Sequence, residues 1–239
     1  TADVDIPEGT LGGRTLRNAN IGFDGTSSQE GLVGALAGAA SLDGFRVTLS
    51  SDIDNNAERL RLSNISFQAP GTALSGNLTR FADGLLDGRL ALDAPYIETA
   101  AALALADASG AANADIILNP QGETQNAEVT ASLNAVRFND ITIGSADAEA
   151  SIADLFGVPV INGSIDGTDI VVAGTNIQSV SLTATASEQT TQFSGNASLN
   201  AGTEITLAGL LEPFADGYRV ALDTFGLTQG QLAASLAQP

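Results

Sequence analysis

The chain has 239 residues, a formal net charge of −19, 26 Gly and 7 Pro, and it lacks Cys, His, Met and Trp; its nine basic residues are all Arg. Without His, Cys or Lys it cannot build a histidine-dependent triad, a thiolate or histidine metal site, a disulfide or a lysine Schiff base. The acidity and the scattered Arg argue against nucleic acid and against docking on anionic headgroups. At 15% charged residues the chain is too apolar for a disordered acidic tail and long enough for a sizeable core. No run approaches the roughly 18 apolar residues of a membrane span. The first residues carry neither an initiator Met nor a basic-then-apolar leader, which reads as a processed or excised segment.

In chain order, Asp3 and Asp5 form the first of several carboxylate pairs, followed by Asp52 and Asp54 and by Asp83 and Asp87. Gly31 to Ala40 places Leu32, Val33, Leu36 and Ala40 at helical spacing and predicts a short helix, although each internal Gly costs about 1 kcal/mol relative to Ala. A second short helix is predicted over the Ala- and Leu-rich stretch Glu98 to Ala106, between Pro95 and Ser109-Gly110. From Val129 to Ala135 apolar and polar residues alternate, as they do over Phe193 to Leu199 and Glu204 to Leu207. A period of two places alternate residues on opposite faces of a sheet. Asn162-Gly163, Asp166-Gly167, Ala201-Gly202 and Asp216-Gly217 read as turns between such runs. The expectation is an all-β antiparallel meander with one or two short helices.

Internal repetition supports it. Leu74 to Gly84 aligns without gaps on Leu207 to Gly217, and both are followed by an Arg-apolar-Ala-Leu-Asp block, Arg89 to Asp93 and Arg219 to Asp223. Asp43 to Leu49 matches Asp216 to Leu222, and Arg61 to Phe67 loosely echoes Arg137 to Ile143. Such self-similarity implies one strand-turn-strand unit stacked along the chain, which is read as one continuous repetitive β domain over 1–239 with weak sub-units near 1–95 and 96–239. Roughly 15–18 strands at ~4.8 Å spacing would make a long sheet with a continuous apolar stripe.

Parity places Val129, Ala131, Leu133, Ile141, Ile143, Ile165, Val172, Leu182, Ala184, Leu199, Ile205, Leu207, Val220 and Leu222 on the apolar face. These residues are small, and aromatics make up only 5% of the chain, so the face suits either closely packed sheets or a trough open to an apolar guest. Phe156 and Pro159 interrupt the alternation and predict a loop, bulge or edge, while Phe81 and Phe214 precede Ala-Asp-Gly turns and read as turn anchors. The carboxylate pairs read as solvated acid. A two-carboxylate glycosidase ordinarily presents aromatic platforms, and Asp52 to Asn56 lacks the Gly and distal Glu of a calcium loop. There is no Gly-x-Ser-x-Gly and no phosphate loop, so no catalytic residue, metal or cofactor is assigned.

The stretch Val129 to Asp223 resembles the middle of the TamB-like translocation and assembly modules of the wider AsmA-like group of bacterial envelope proteins. The resemblance rests on the alternating Val129 to Ala135, on Val136 to Ile143, on Ala146 to Pro159 with its Asp154-Leu-Phe-Gly-Val-Pro159 element, on Ile161 to Ile165, on Gly195 to Leu199 and on the Phe214 to Gly217 block. It implies an elongated antiparallel sheet curled lengthwise into a half-pipe, a β-taco, with an apolar groove. It implies a periplasmic segment of an inner-membrane-anchored protein, conducting phospholipid acyl chains toward the outer membrane and partnering an outer-membrane barrel in surface-protein assembly. The chain departs from the complete pattern: it shows no N-terminal membrane helix, it is far too short, and the terminal segment that would engage the barrel is not identified in it. A structural or adhesive extracellular β-repeat with a closed dry core is the competing expectation.

Overall fold

A computed structural model describes residues 1–11, 13–187, 190–214 and 217–237. It is an all-β protein whose strand order is the order of the chain, from β1 to β16, antiparallel throughout the pairings that follow. Two compact units divide at Glu123/Thr124 rather than near 95/96.

Unit 1 holds β1 (Ala2–Leu11), β2 (Arg14–Ser28), β3 (Gly31–Leu42), β4 (Phe45–Asn56), β5 (Arg59–Ala69), β6 (Thr72–Phe81), β7 (Leu86–Ala94), helix α1 (Glu98–Leu103) and β8 (Ala108–Gln121). The stretch Gly31 to Ala40 is therefore a strand, not the expected helix. Leu32, Gly34, Leu36, Gly38 and Leu42 fall on one face at period two, and the glycines leave room for a neighbour. A Cβ at Gly34 would lie 2.6 Å from the Phe23 ring, which lies across that position from β2. Glu98 to Ala106 does form a helix, shorter than expected. It stops at Leu103, and Leu105 turns left-handed at φ 58.

Unit 2 holds β9 (Thr124–Phe138), β10 (Ile141–Ala153), β11 (Val160–Val172), β12 (Thr175–Ser187), β13 (Thr190–Leu199), a 3-10 turn at Asn200–Gly202, β14 (Thr203–Phe214), β15 (Gly217–Gln229) and β16 (Leu232–Ala237). Ala201-Gly202 is a turn as expected. Asn162-Gly163 and Asp166-Gly167 are not, because both lie inside β11. There the glycines face Ala150 and Val180 across the ladder, where a Cβ at Gly163 would fall 2.7 Å from the Ala150 Cα. Of the Phe214 to Gly217 turn, the Phe214 side chain, Ala215 and Asp216 lie outside the described residues.

The long repeat maps onto real hairpins, β6–β7 and β14–β15, but with different registers. Gly76 faces Leu90 in the first, whereas Gly209, its counterpart, faces Leu222, the counterpart of Leu92. From Gly209 to Phe214 the slip is two residues, which keeps those side chains on their face, and a register shift follows at Ala208/Gly209, where Leu207 faces Phe225. The echo between Arg61 to Phe67 and Arg137 to Ile143 has no such equivalence: the former lies within β5, the latter spans the β9–β10 turn.

Candidate functional site

Cross-strand partners in an antiparallel ladder share a face. In unit 2 one row therefore runs Ala131, Ala148, Ile165, Leu182, Gly195, Leu207, Phe225 and Leu236, one residue from each strand β9 to β16. A second runs Val129, Ala150, Gly163, Ala184, Phe193, Gly209 and Leu222. A third runs Leu133, Ala146, Gly167, Val180, Ala197, Ile205 and Leu227. The rows between them carry the opposite chemistry, as in Ser132, Asp147, Asp166, Ser181, Asn196 and Thr206.

A crease crosses these strands. Ala135 (φ 49) in β9 and Asp169 (φ 52) in β11 are left-handed in mid-strand, and pairing skips Ala135, Gly144, Asp169 and Gln178. A Cβ at Gly144 would lie 2.7 Å from that of Asp169, so the crease needs glycine there. The left-handed residues interrupt the alternation without shifting the register from β9 to β12, and the register shifts at Ile177/Ser179, between β12 and β13. Beyond the crease the row is Val136, Ile143, Ile170, Ile177 and Leu199. Leu199 stands two residues from Ala197 on extended β13, so both rows lie on one face despite the change of parity in β9 to β12.

Every residue assigned to the apolar face by parity lies on this one face. Val129, Ala131, Leu133, Ile165, Leu182, Ala184, Ile205, Leu207 and Leu222 belong to the first three rows, and Ile143 and Leu199 to the row beyond the crease. Ile141 and Val172 stand two residues from Ile143 and Ile170, and Val220 two from Leu222. The parity assignment left out Ala146, Ala148, Ala150 and Ile152, which lie beyond the change of phase at Gly144. The signal available was the Gly itself, in a run otherwise alternating from Ala146 to Ala150. It also missed the whole of unit 1, where Val4, Ile21, Gly38, Leu49, Phe67, Leu74, Leu92 and Ala114 make an eight-strand row.

The face is not sealed. Ile165, Leu182 and Val220 are 47%, 37% and 60% exposed. Unit 2 nonetheless bends. The strands flanking β12 approach within 8 Å Cα to Cα, against ~9.6 Å for two ordinary strand spacings. The Tyr218 hydroxyl, on the apolar side of β15, donates a long 3.4 Å hydrogen bond to the Pro159 carbonyl at the start of β11. Four spacings would separate those strands by ~19 Å in a flat sheet, so this end curls toward its apolar side. Phe156 and Pro159 lie in the β10–β11 connection, with Phe156 exposed. Its Asp154 accepts from the Val158 N–H at 3.0 Å, and the Leu155 N–H donates to Gln125.

The polar face has hollows of its own. One of about 420 Å³ lies among Glu128, Glu149, Asn162 and Thr183, and another of about 210 Å³ beside Asp147 and Asp166. Four of the six carboxylates of the sequence pairs are engaged locally: Asp5 by Asn20 at 2.7 Å, Asp52 by Asn64 at 2.7 Å, Asp54 by Arg59 at 3.5 Å and Asp83 by the Leu85 N–H at 3.0 Å. Among the described residues no three acidic side chains gather where they could hold a metal ion. No helix among them is long and apolar enough to cross a membrane.

The fold and this face define an open antiparallel β-sheet protein with one apolar and one acidic, hydroxyl-rich surface. No family model, curated protein or solved structure matches the chain.

Proposed function

We propose that the chain is a non-enzymatic periplasmic segment of a bridge-like phospholipid conduit between the inner and outer membranes. The observation that carries this reading is the set of apolar rows continuous across consecutive strands yet still partly exposed. A closed dry core would hide these side chains. An open lining leaves Ile165, Leu182 and Val220 able to meet an acyl chain. An anchor in the inner membrane and an outer-membrane barrel partner, implied by the TamB-like resemblance, belong to the same reading.

The mechanism is passive. Each acyl methylene removed from water contributes about 0.8 kcal/mol wherever along the face it lies. The rows offer mostly Ala, Ile, Leu, Val and Gly, with one Phe in each of two rows, so no position holds a tail much more tightly than the next. Headgroups stay in water. The acidic face turns the other way and keeps the tape soluble.

The experiment is native mass spectrometry of the protein from bacterial expression, with organic extraction of co-purifying molecules. Phospholipid adducts that disappear in a folded Leu207→Asp/Val220→Asp variant are the expected result. Unchanged occupancy in that folded variant would show that the lining lies elsewhere. An apo mass with high resistance to denaturant would favour the structural β-repeat.

A further inference from the structure

The polar face of unit 2 is hollowed along one row. Thr130, Glu149, Ser164, Thr183, Ser194 and Ala208 are successive cross-strand partners from β9 to β14. The first four line the hollow of about 420 Å³, and Thr183, Ser194 and Ala208 line a second of about 320 Å³. The two hollows share Thr183 and Thr185 and form one groove across the strands, ~24 Å over five strand spacings. Each falls within the range of about 300–1,000 Å³ of small-molecule sites. The residues of this row stand on paired strands rather than loops, which fixes their positions.

The chemistry of the groove is one-sided. Glu128 and Glu149 stand in the larger hollow, and Asp223, skipped by the register shift at Ala208/Gly209, lines the smaller. Hydroxyls and the Asn162 and Gln192 amides supply the other polar groups, and no Arg lines either hollow. Residues 124–239 hold twelve Asp and Glu against two Arg, whereas residues 1–123 hold sixteen against seven. In unit 1 Asp54 and Asp115 have Arg59 and Arg89 as ion-pair partners. A cleft lined by one sign of charge focuses the field and concentrates counter-ions, and ionised carboxylates only accept hydrogen bonds. The matching ligand is therefore cationic and rich in N–H donors.

Spacing separates an organic cation from a metal ion. Glu128 faces Ser151 and Glu149 faces Thr130, so the two carboxylates are diagonal neighbours, about 7–8 Å apart along the backbone. A calcium ion needs six or more oxygens within about 2.6 Å, and no three acidic side chains gather for one among the described residues. Two ammonium groups joined by a short methylene chain can meet one carboxylate each. We infer that this groove binds a linear polyamine, with successive ammonium groups on Glu128 and Glu149 and the rest of the chain along the hydroxyl row. The site lies on the face opposite the apolar rows, so it does not depend on what those rows hold.

The test is calorimetric titration of the full chain with spermidine at low salt. Wild type is compared with Glu128→Gln/Glu149→Gln and with Glu30→Gln/Asp140→Asn, which removes the same charge from the β2–β3 and β9–β10 turns. The groove variant should bind about five- to tenfold more weakly, as expected for two partly exposed ion pairs, and the turn variant should bind as wild type does. Equal weakening in both variants would make spermidine a diffuse counter-ion and overturn the site. Unchanged binding by a folded groove variant, or no binding by wild type, would overturn it as well. Amide shifts of the wild type on adding spermidine should centre on Glu128, Glu149 and Ser164, and shifts centred in unit 1 would refute the assignment. That measurement needs no variant and decides the matter if the double substitution does not fold.

Discussion

The two units share one pattern and differ in what lies on it. Both have apolar rows running strand to strand with polar rows between. Only in unit 1 does a cluster of buried apolar side chains form among the described residues, and it forms where α1 lies on the face. Unit 2 has an exposed Ile165 and Leu182 in mid-sheet and only scattered buried residues such as Ala127 and Val136. The lesson is that a patterned sheet is not itself a core. A single sheet offers one layer, and burial requires a second layer from somewhere.

That comparison can be broken most directly at Leu42. Leu42→Ala should cost about 2–5 kcal/mol, because the side chain is fully enclosed and its removal leaves a cavity. Hydrogen exchange should place the loss in unit 1. In unit 2 the corresponding weak point is backbone rather than core. Ala135→Val puts a β-branched residue at φ 49 and should cost about 1–3 kcal/mol in unit 2 stability, while Ala135→Gly should be tolerated. Equal costs for both substitutions in urea unfolding would remove the crease from the account.

Smaller effects sharpen the contrast. Leu182→Ala should cost only about 1–2 kcal/mol in the same unfolding measurement, since the side chain is already partly in water. A loss as large as that at Leu42 would mean the unit 2 face is covered in solution. Least of all, Asp147→Ser should stabilise unit 2 by about 0.2–1 kcal/mol at low salt, because Asp147 stands directly across the ladder from Asp166. The gain should shrink as salt is added.

Much of this was legible in the sequence because the strand signal repeats. Val129 to Leu133, Gly195 to Leu199 and the Leu74 and Leu207 blocks all carry period two, and the faces they predict are those observed. What was not legible has physical causes. Gly in this chain marks turns in some places and room for a neighbour in others, so Gly31 to Ala40 imitated a weak helix and Asn162-Gly163 a turn. Left-handed Ala135 has no residue preference that announces it, and its change of phase hid the Ala146 to Ala150 run. The cover by α1 depends on strands far apart in the chain, Leu42 and Ala102, which no local pattern joins.

Each pairing within the units joins a strand to the next in sequence, and most connections are a few residues long. Loop-closure entropy is therefore small at every step, and relative contact order is low for an all-β chain. A strand emerging from a narrow exit can pair with its predecessor at once, without waiting for residues still to come. Vectorial growth of this kind suits a chain delivered end first, and it keeps the unfinished sheet to a single growing edge. α1 is the exception. It packs on Leu42, Val47 and Phe67, so its docking requires β3, β4 and β5 already in place.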